Sequence, residues 1–284
     1  MGTRERLVEV NGVELCAEPF GSAGDPAVLL VMGLGGSMLS WEDEFCERLA
    51  AGGRFAIRYD HRDTGRSVSY PAGEPRYTGE DLVADAAGVL DAFGVARAHV
   101  VGISMGGAIA QVLALDHADH VASLTLIATS PGSGDDLPGM SGALRARFAD
   151  PPPEPDWSDR EAVVEYLVGE ERAYAAPSRP FEEAERRELA GRIVDRATDI
   201  AASVKNHWLL DGGASWRERL GEIAVPTLIV HGTEDPLFAI GHALVLEHEI
   251  PGARLLRVER MGHELPRAVW DVVVPAILRH TAGR

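Results

Sequence analysis

Six short apolar runs recur along this chain, and none of them alternates with polar residues: 28–32 (VLLVM), 55–59 (FAIRY), 99–103 (HVVGI), 123–128 (SLTLIA), 227–230 (TLIV) and 254–258 (RLLRV). A strand that is apolar on both faces has to be covered on both faces, which is the condition of a parallel sheet with helices on either side. The covering helices are predicted between the runs, at 41–51, 79–93, 106–117, 240–249 and 268–280. This alternation predicts a doubly wound α/β fold. Residues 7–21 (LVEVNGVELCAEPFG) do alternate, on either side of Asn11-Gly12, and predict an antiparallel hairpin at the sheet edge. The total is about eight strands, mostly parallel.

The alternation stops between about 131 and 219. A Gly/Ser/Asp loop at 130–136 and the stiff DPPPEPDW at 150–157 lead into helical segments near 160–175, 181–196 and 198–210, with no strand pattern among them. We expect a core made of 1–130 and 220–284, and a helical lid at 131–219 over the C-terminal edge of the sheet, where open α/β sheets bind ligands.

Composition narrows the function. The 44 acidic and 27 basic residues leave a net charge of −17, and no Lys/Arg stripe stands out, so a nucleic-acid partner is not expected. No apolar run approaches the ~18 residues of a membrane span. The two cysteines, Cys16 and Cys46, are too few for a disulfide framework. The opening MGTRERLVEV has no apolar signal region, and a cytoplasmic protein is expected. The sequence is silent on oligomeric state.

The run 99–103 ends in Gly102-Ile103-Ser104-Met105-Gly106, followed at once by a helical pattern. A strand-to-helix turn this tight strains the backbone at the serine and lifts its hydroxyl clear of the sheet, at a helix N-terminus. Glycines two residues before and after allow the neighbouring backbones to approach. A serine that only caps the helix would fit the five residues alone. A catalytic serine needs a base and an orienting acid, and for this elbow the chain order is Ser, acid, His. Asp235 in PTLIVHGTEDP follows a strand and is the candidate acid; Glu234 competes, and Asp135 and Asp136 are weaker alternatives. His263 in VERMGHELP is the candidate base: among ten histidines it lies in a loop after the last strand and C-terminal to the acid. An oxyanion hole needs two backbone N–H donors. Met105 follows the nucleophile, and Leu34 lies in the glycine-rich VMGLGGS at 31–37 after the third strand. That loop lacks the spacing and the lysine of a phosphate cradle. The His-Arg-Asp at 61–63 lacks the other parts of a kinase and is read as a loop tied down by Arg62, Asp63 and Arg66.

With these residues placed, the chain resembles the α/β-hydrolase superfamily over nearly its whole length. Within it the chain is similar to the anthracycline methylesterases of the aclacinomycin type, through DEFCERLA (43–50), IRYDHRDTGRS (57–67), QVLALDH (111–117) and MGHELP (261–266). The resemblance implies Ser104, Asp235 and His263 as the triad, Leu34 and Met105 as oxyanion donors, and a methyl ester on a polyketide-like molecule as substrate. It departs from many relatives in one respect: Met32-Gly33 stands where His-Gly is common.

We therefore expect a serine hydrolase acting on a small apolar carboxylic ester, with no cofactor and no metal. Trp157, Tyr166, Tyr174, Phe181 and Trp208 in the lid are candidates to line the pocket, although each also fits ordinary packing. Lactonases, thioesterases, C–C bond hydrolases and iminopeptidases use the same triad and stay open as alternatives. A serine argues against epoxide hydrolases and dehalogenases, which need an aspartate nucleophile. A binding module without turnover is the alternative of another class.

Overall fold

The computed structural model describes residues 4–282; the ends of the two core segments, 1–3 and 283–284, lie outside the described residues. Eight strands form one sheet in the order β1-β2-β4-β3-β5-β6-β7-β8. They are β1 (Arg6–Val10), β2 (Val13–Phe20), β3 (Ala27–Val31), β4 (Phe55–Tyr59), β5 (Ala98–Ile103), β6 (Val121–Ile127), β7 (Thr227–Gly232) and β8 (Arg254–Val258). From β4 across to β8 every pairing is parallel, while β1 and β2 run antiparallel on the edge. Asn11 and Gly12 both take positive φ, 46° and 77°, as the two-residue hairpin turn requires.

Every residue of β3, β4, β5 and β7 is buried, as their continuous apolar runs demand. Successive side chains alternate between two cores. Leu29 and Val31 face one, with α2 (Gly79–Ala92), α3 (Met105–Asp116) and α8 (Gly241–Glu249). Val28 and Leu30 face the other, with α1 (Asp43–Ala51) and α9 (Trp270–His280). The strand order reverses direction at β3, between β4 and β5. The crevice beyond the C-terminal ends of β3 and β5 is therefore the switch point at which such sheets take ligands.

Between β6 and β7 run four helices: α4 (Gly142–Ala149), α5 (Arg160–Tyr174), α6 (Glu183–Arg196) and α7 (Ile200–Lys205), the last continued by a 3-10 turn at Asn206–Leu209. A second 3-10 turn, Arg217–Glu222, precedes β7. No strand interrupts this segment among the described residues. Ion pairs bind it to the core: Arg196 with buried Asp60 just after β4, and Arg186 with Glu42 just before α1. The loop after β4 is tied down internally, by Arg62 on buried Asp85 and by Asp63 accepting from Tyr77 Oη and Asn206 Nδ2. Arg66 reaches outward to Glu5. Cys16 and Cys46 are unpaired and buried, and burial pushes both thiols up to about 12. No described helix is long and apolar enough to cross a membrane.

Candidate active site

Ser104 joins β5 to α3 with φ 54° and ψ −119°, a conformation that costs a residue with a Cβ about 1–3 kcal/mol. Its surroundings enforce it. The Ser104 N–H donates to the Ile127 carbonyl at 3.0 Å, and the Ser104 carbonyl accepts from Gly107 N, Ala108 N and Thr129 Oγ1. A Cβ on Gly102 would stand 2.1 Å from the Gly106 oxygen, and one on Gly106 would stand 2.2 Å from the Val31 oxygen. The two glycines of the motif thus permit the close crossing of β5, α3 and the end of β3 that lifts the hydroxyl above the sheet.

His263, in the loop after β8, directs Nε2 to Ser104 Oγ at 2.9 Å and Nδ1 to Asp235 Oδ2 at 2.9 Å. The acceptor-only carboxylate accepts a hydrogen bond from Nδ1–H, which keeps the proton on Nδ1 and leaves Nε2 free to accept from the Ser104 hydroxyl. Asp235 follows β7, and its second oxygen accepts from Leu237 N and Phe238 N at 2.9 and 2.8 Å. Burial works to raise this carboxyl, but His263 and the N–H donors outweigh it and hold the group below its usual value. The His263 backbone is fixed from the helical segment, by its N–H on the Tyr174 carbonyl at 2.8 Å, and the Phe238 ring meets the imidazole edge-on at 5.3 Å. The competing acids lie elsewhere. Glu234 accepts from Ser178, Asp136 pairs with Arg217, and Asp135 is exposed.

The loop after β3 closes against the serine: a Cβ on Gly33 would stand 3.3 Å from Ser104 Cβ. Neither the Leu34 N–H nor the Met105 N–H, the latter in the first turn of α3, has an acceptor among the described residues. Both are free donors at the rim of a cavity of about 760 Å³ that contains Ser104 and His263. The cavity wall is mostly apolar, with Tyr166, Tyr174 and Trp208 in it. Trp157 and Phe181 are not brought there. Trp157 packs on Tyr166 and its indole N–H donates to Glu154, while Phe181 packs against the α5–α6 contact under the Arg172 guanidinium. Phe148, on α4, takes a place the sequence did not indicate, and packs edge-on with Trp208 at 5.9 Å.

Two other neighbours carried no motif. His231, fully buried, donates from Nε2–H to the Phe238 carbonyl at 2.7 Å and braces the turn that holds Asp235. Burial holds its ring below the ordinary imidazole value, against the opposing pull of Asp235. Glu171, one helical turn before Tyr174, lines the cavity with no hydrogen-bond partner among the described residues. Burial pushes its carboxyl from 4.5 up to about 7, with Arg186 opposing and Glu264 and Glu42 adding to the rise. The folded state therefore holds a proton that the unfolded chain releases. This contribution to stability is complete below about pH 4.5 and is lost as the pH rises through 7. Glu171→Gln is expected to be more stable than the parent at pH 8, on the order of 2 kcal/mol, with no difference near pH 4. Urea unfolding at the two pH values checks this, and a pH-independent difference contradicts it.

No group of three or more His, Cys, Asp and Glu side chains is placed to hold a metal among the described residues. The family model described as the alpha/beta hydrolase fold matches residues 26–266. The chain is similar to two rhodomycin D methylesterases, DauP of Streptomyces sp. strain C5 at 36% identity and DnrP of Streptomyces peucetius at 35%; each match covers 97% of both chains. Among solved structures it is similar to the enol-lactonase from Burkholderia xenovorans LB400, with a TM-score of 0.76 and 22% identity over 98% of this chain and 100% of that one, a likeness of fold. An eight-stranded sheet, a serine on a strained strand-to-helix turn, and a matching family model over residues 26–266 all agree: the chain belongs to the α/β-hydrolase family.

Proposed function

We propose that the protein is a serine hydrolase of small apolar carboxylic esters, working through an acyl-enzyme without a cofactor. The observation that carries the reading is the chain of contacts Ser104–His263–Asp235 opening onto a largely apolar cavity beside two free N–H donors. Ser104 Oγ attacks the ester carbonyl while His263 Nε2 takes its proton. Asp235 stabilises the imidazolium and keeps Nδ1 protonated. The N–H groups of Leu34 and Met105 receive the alkoxide. His263 then protonates the departing alcohol, and with a water as nucleophile repeats the sequence to release the acid.

The helical segment at 131–219 acts as the lid, with Tyr166, Tyr174 and Trp208 facing the substrate. The similarity to two rhodomycin D methylesterases across 97% of the chain supports a methyl ester on a bulky polyketide-like acid as the substrate. Two unpaired thiols fit a cytoplasmic setting, and the net charge of −17 argues against a nucleic-acid partner. Turnover of p-nitrophenyl esters with acyl chains of two to eight carbons tests the reading. kcat/KM is expected to rise roughly two- to fourfold per methylene while the cavity fills. Absence of turnover across esters, thioesters and lactones would overturn it.

A further inference from the structure

His207 belongs to none of the motifs, yet it touches the loop that presents Leu34. It sits in the 3-10 turn Asn206–Leu209 of the helical segment and is 4% exposed. Its Nδ1 accepts from the Gly35 N–H at 2.8 Å, and its Nε2–H donates to the Arg62 carbonyl at 2.9 Å. Together these contacts require the neutral ring with its proton on Nε2.

The contact matters because of what the loop has to do. Residues 33–36 close as a turn, with the Gly36 N–H on the Gly33 carbonyl at 3.1 Å and Gly35 at φ 67°. A left-handed third residue is the signature of a type II turn; in type I the peptide between the two central residues faces the opposite way. That peptide joins Leu34 to Gly35, and its N–H is the one His207 accepts. The other end of the loop is held by His61, whose Nε2–H donates to the Met32 carbonyl at 3.0 Å. A Cβ on Gly35 would stand 2.8 Å from the Ser203 oxygen, so α7 lies directly against the turn.

We infer that His207 is a positioning residue for catalysis: reaching from the helical segment, it anchors the Leu34–Gly35 peptide, the covalent neighbour of the Leu34 N–H, and so holds in place the 33–36 turn that carries this donor. The inference rests on the ester-hydrolase reading and makes the oxyanion hole dependent on the helical segment being in place. It has no need of any contact between His207 and substrate.

Two variants separate the roles of the two ring nitrogens. In His207→Gln the longer amide reaches the Arg62 carbonyl and leaves the Gly35 N–H without an acceptor. In His207→Asn the amide oxygen falls near the position of Nδ1. Loss of a whole oxyanion donor costs about 10²–10³ in kcat, so a misdirected one is expected to cost about 10- to 100-fold in His207→Gln, with KM within about threefold. Hydrogen–deuterium exchange of the peptide spanning 32–37 is expected to speed up in the same variant. His207→Asn is expected to restore both readouts to within about threefold of the parent. A parental kcat in His207→Gln, or a loss that asparagine does not restore, overturns the inference. Should the parent turn over no ester, the ester-hydrolase reading fails by itself, and exchange then decides: unchanged exchange in His207→Gln overturns the lock, and faster exchange restored by asparagine upholds it.

Discussion

Ser104→Ala is expected to lower kcat on p-nitrophenyl esters by about 10³-fold or more, while the protein stays folded and binds substrate with little change in KM. The size follows from the geometry. Ser104 Oγ is the atom His263 Nε2 faces at 2.9 Å, and its removal leaves the proposed oxyanion donors and the cavity but no covalent route. Some residual rate is expected from those donors acting on a bound ester and water. Folding is expected to survive, because alanine also removes nothing that holds the turn: its hydrogen bonds run through the Ser104 backbone to Ile127, Gly107, Ala108 and Thr129. Steady-state kinetics and a thermal melt on the purified variant check both halves. A variant with more than about a tenth of parental kcat contradicts the role of the serine.

Asp235→Asn is the second large effect, on the order of 10³–10⁴ in kcat. The carboxylate does two things for His263. In the proposed mechanism it accepts a hydrogen bond from Nδ1–H, which sets the tautomer, and its charge offsets the imidazolium that forms as the serine attacks. An amide nitrogen facing Nδ1 would favour the other tautomer, with Nε2 protonated and unable to take the serine proton. The variant tests the assignment against its neighbour. Glu234, bonded to Ser178 at the surface, is expected to tolerate Glu234→Gln with kcat unchanged. The reverse pattern would move the acid to Glu234. The held-down carboxyl of Asp235 also means that it stays ionised across the neutral range, so its protonation is not expected to limit activity above about pH 5.

The core was legible because each strand had to be apolar on both faces. The run 28–32 predicted β3, and its alternate residues do face opposite cores. The hairpin was legible from Asn11-Gly12, two residues that accept positive φ. The meeting of Ser104, Asp235 and His263 was anticipated because each closes a strand, and parallel strands bring those ends to one edge. The helical segment was harder to read. α4 buries only Leu144, so its apolar pattern is nearly blank in the sequence, although Phe148 on it lines the cavity. Which aromatics face the cavity depends on how the helical segment packs, and no local signal distinguishes Tyr166 on α5, which lines the cavity, from Trp157 just before α5, which packs on Tyr166 outside it. His207 and Gly35 are 172 residues apart, a contact with no signature short of the fold.

The measurement that tests the account most directly is the intact mass of the protein after incubation with a fluorophosphonate, run beside Ser104→Ala. The account predicts one adduct per chain in the parent and none in the variant, with loss of ester hydrolysis in step with labelling. An unlabelled parent, or a variant labelled as readily as the parent, would contradict the claim that Ser104 is the activated nucleophile of this site.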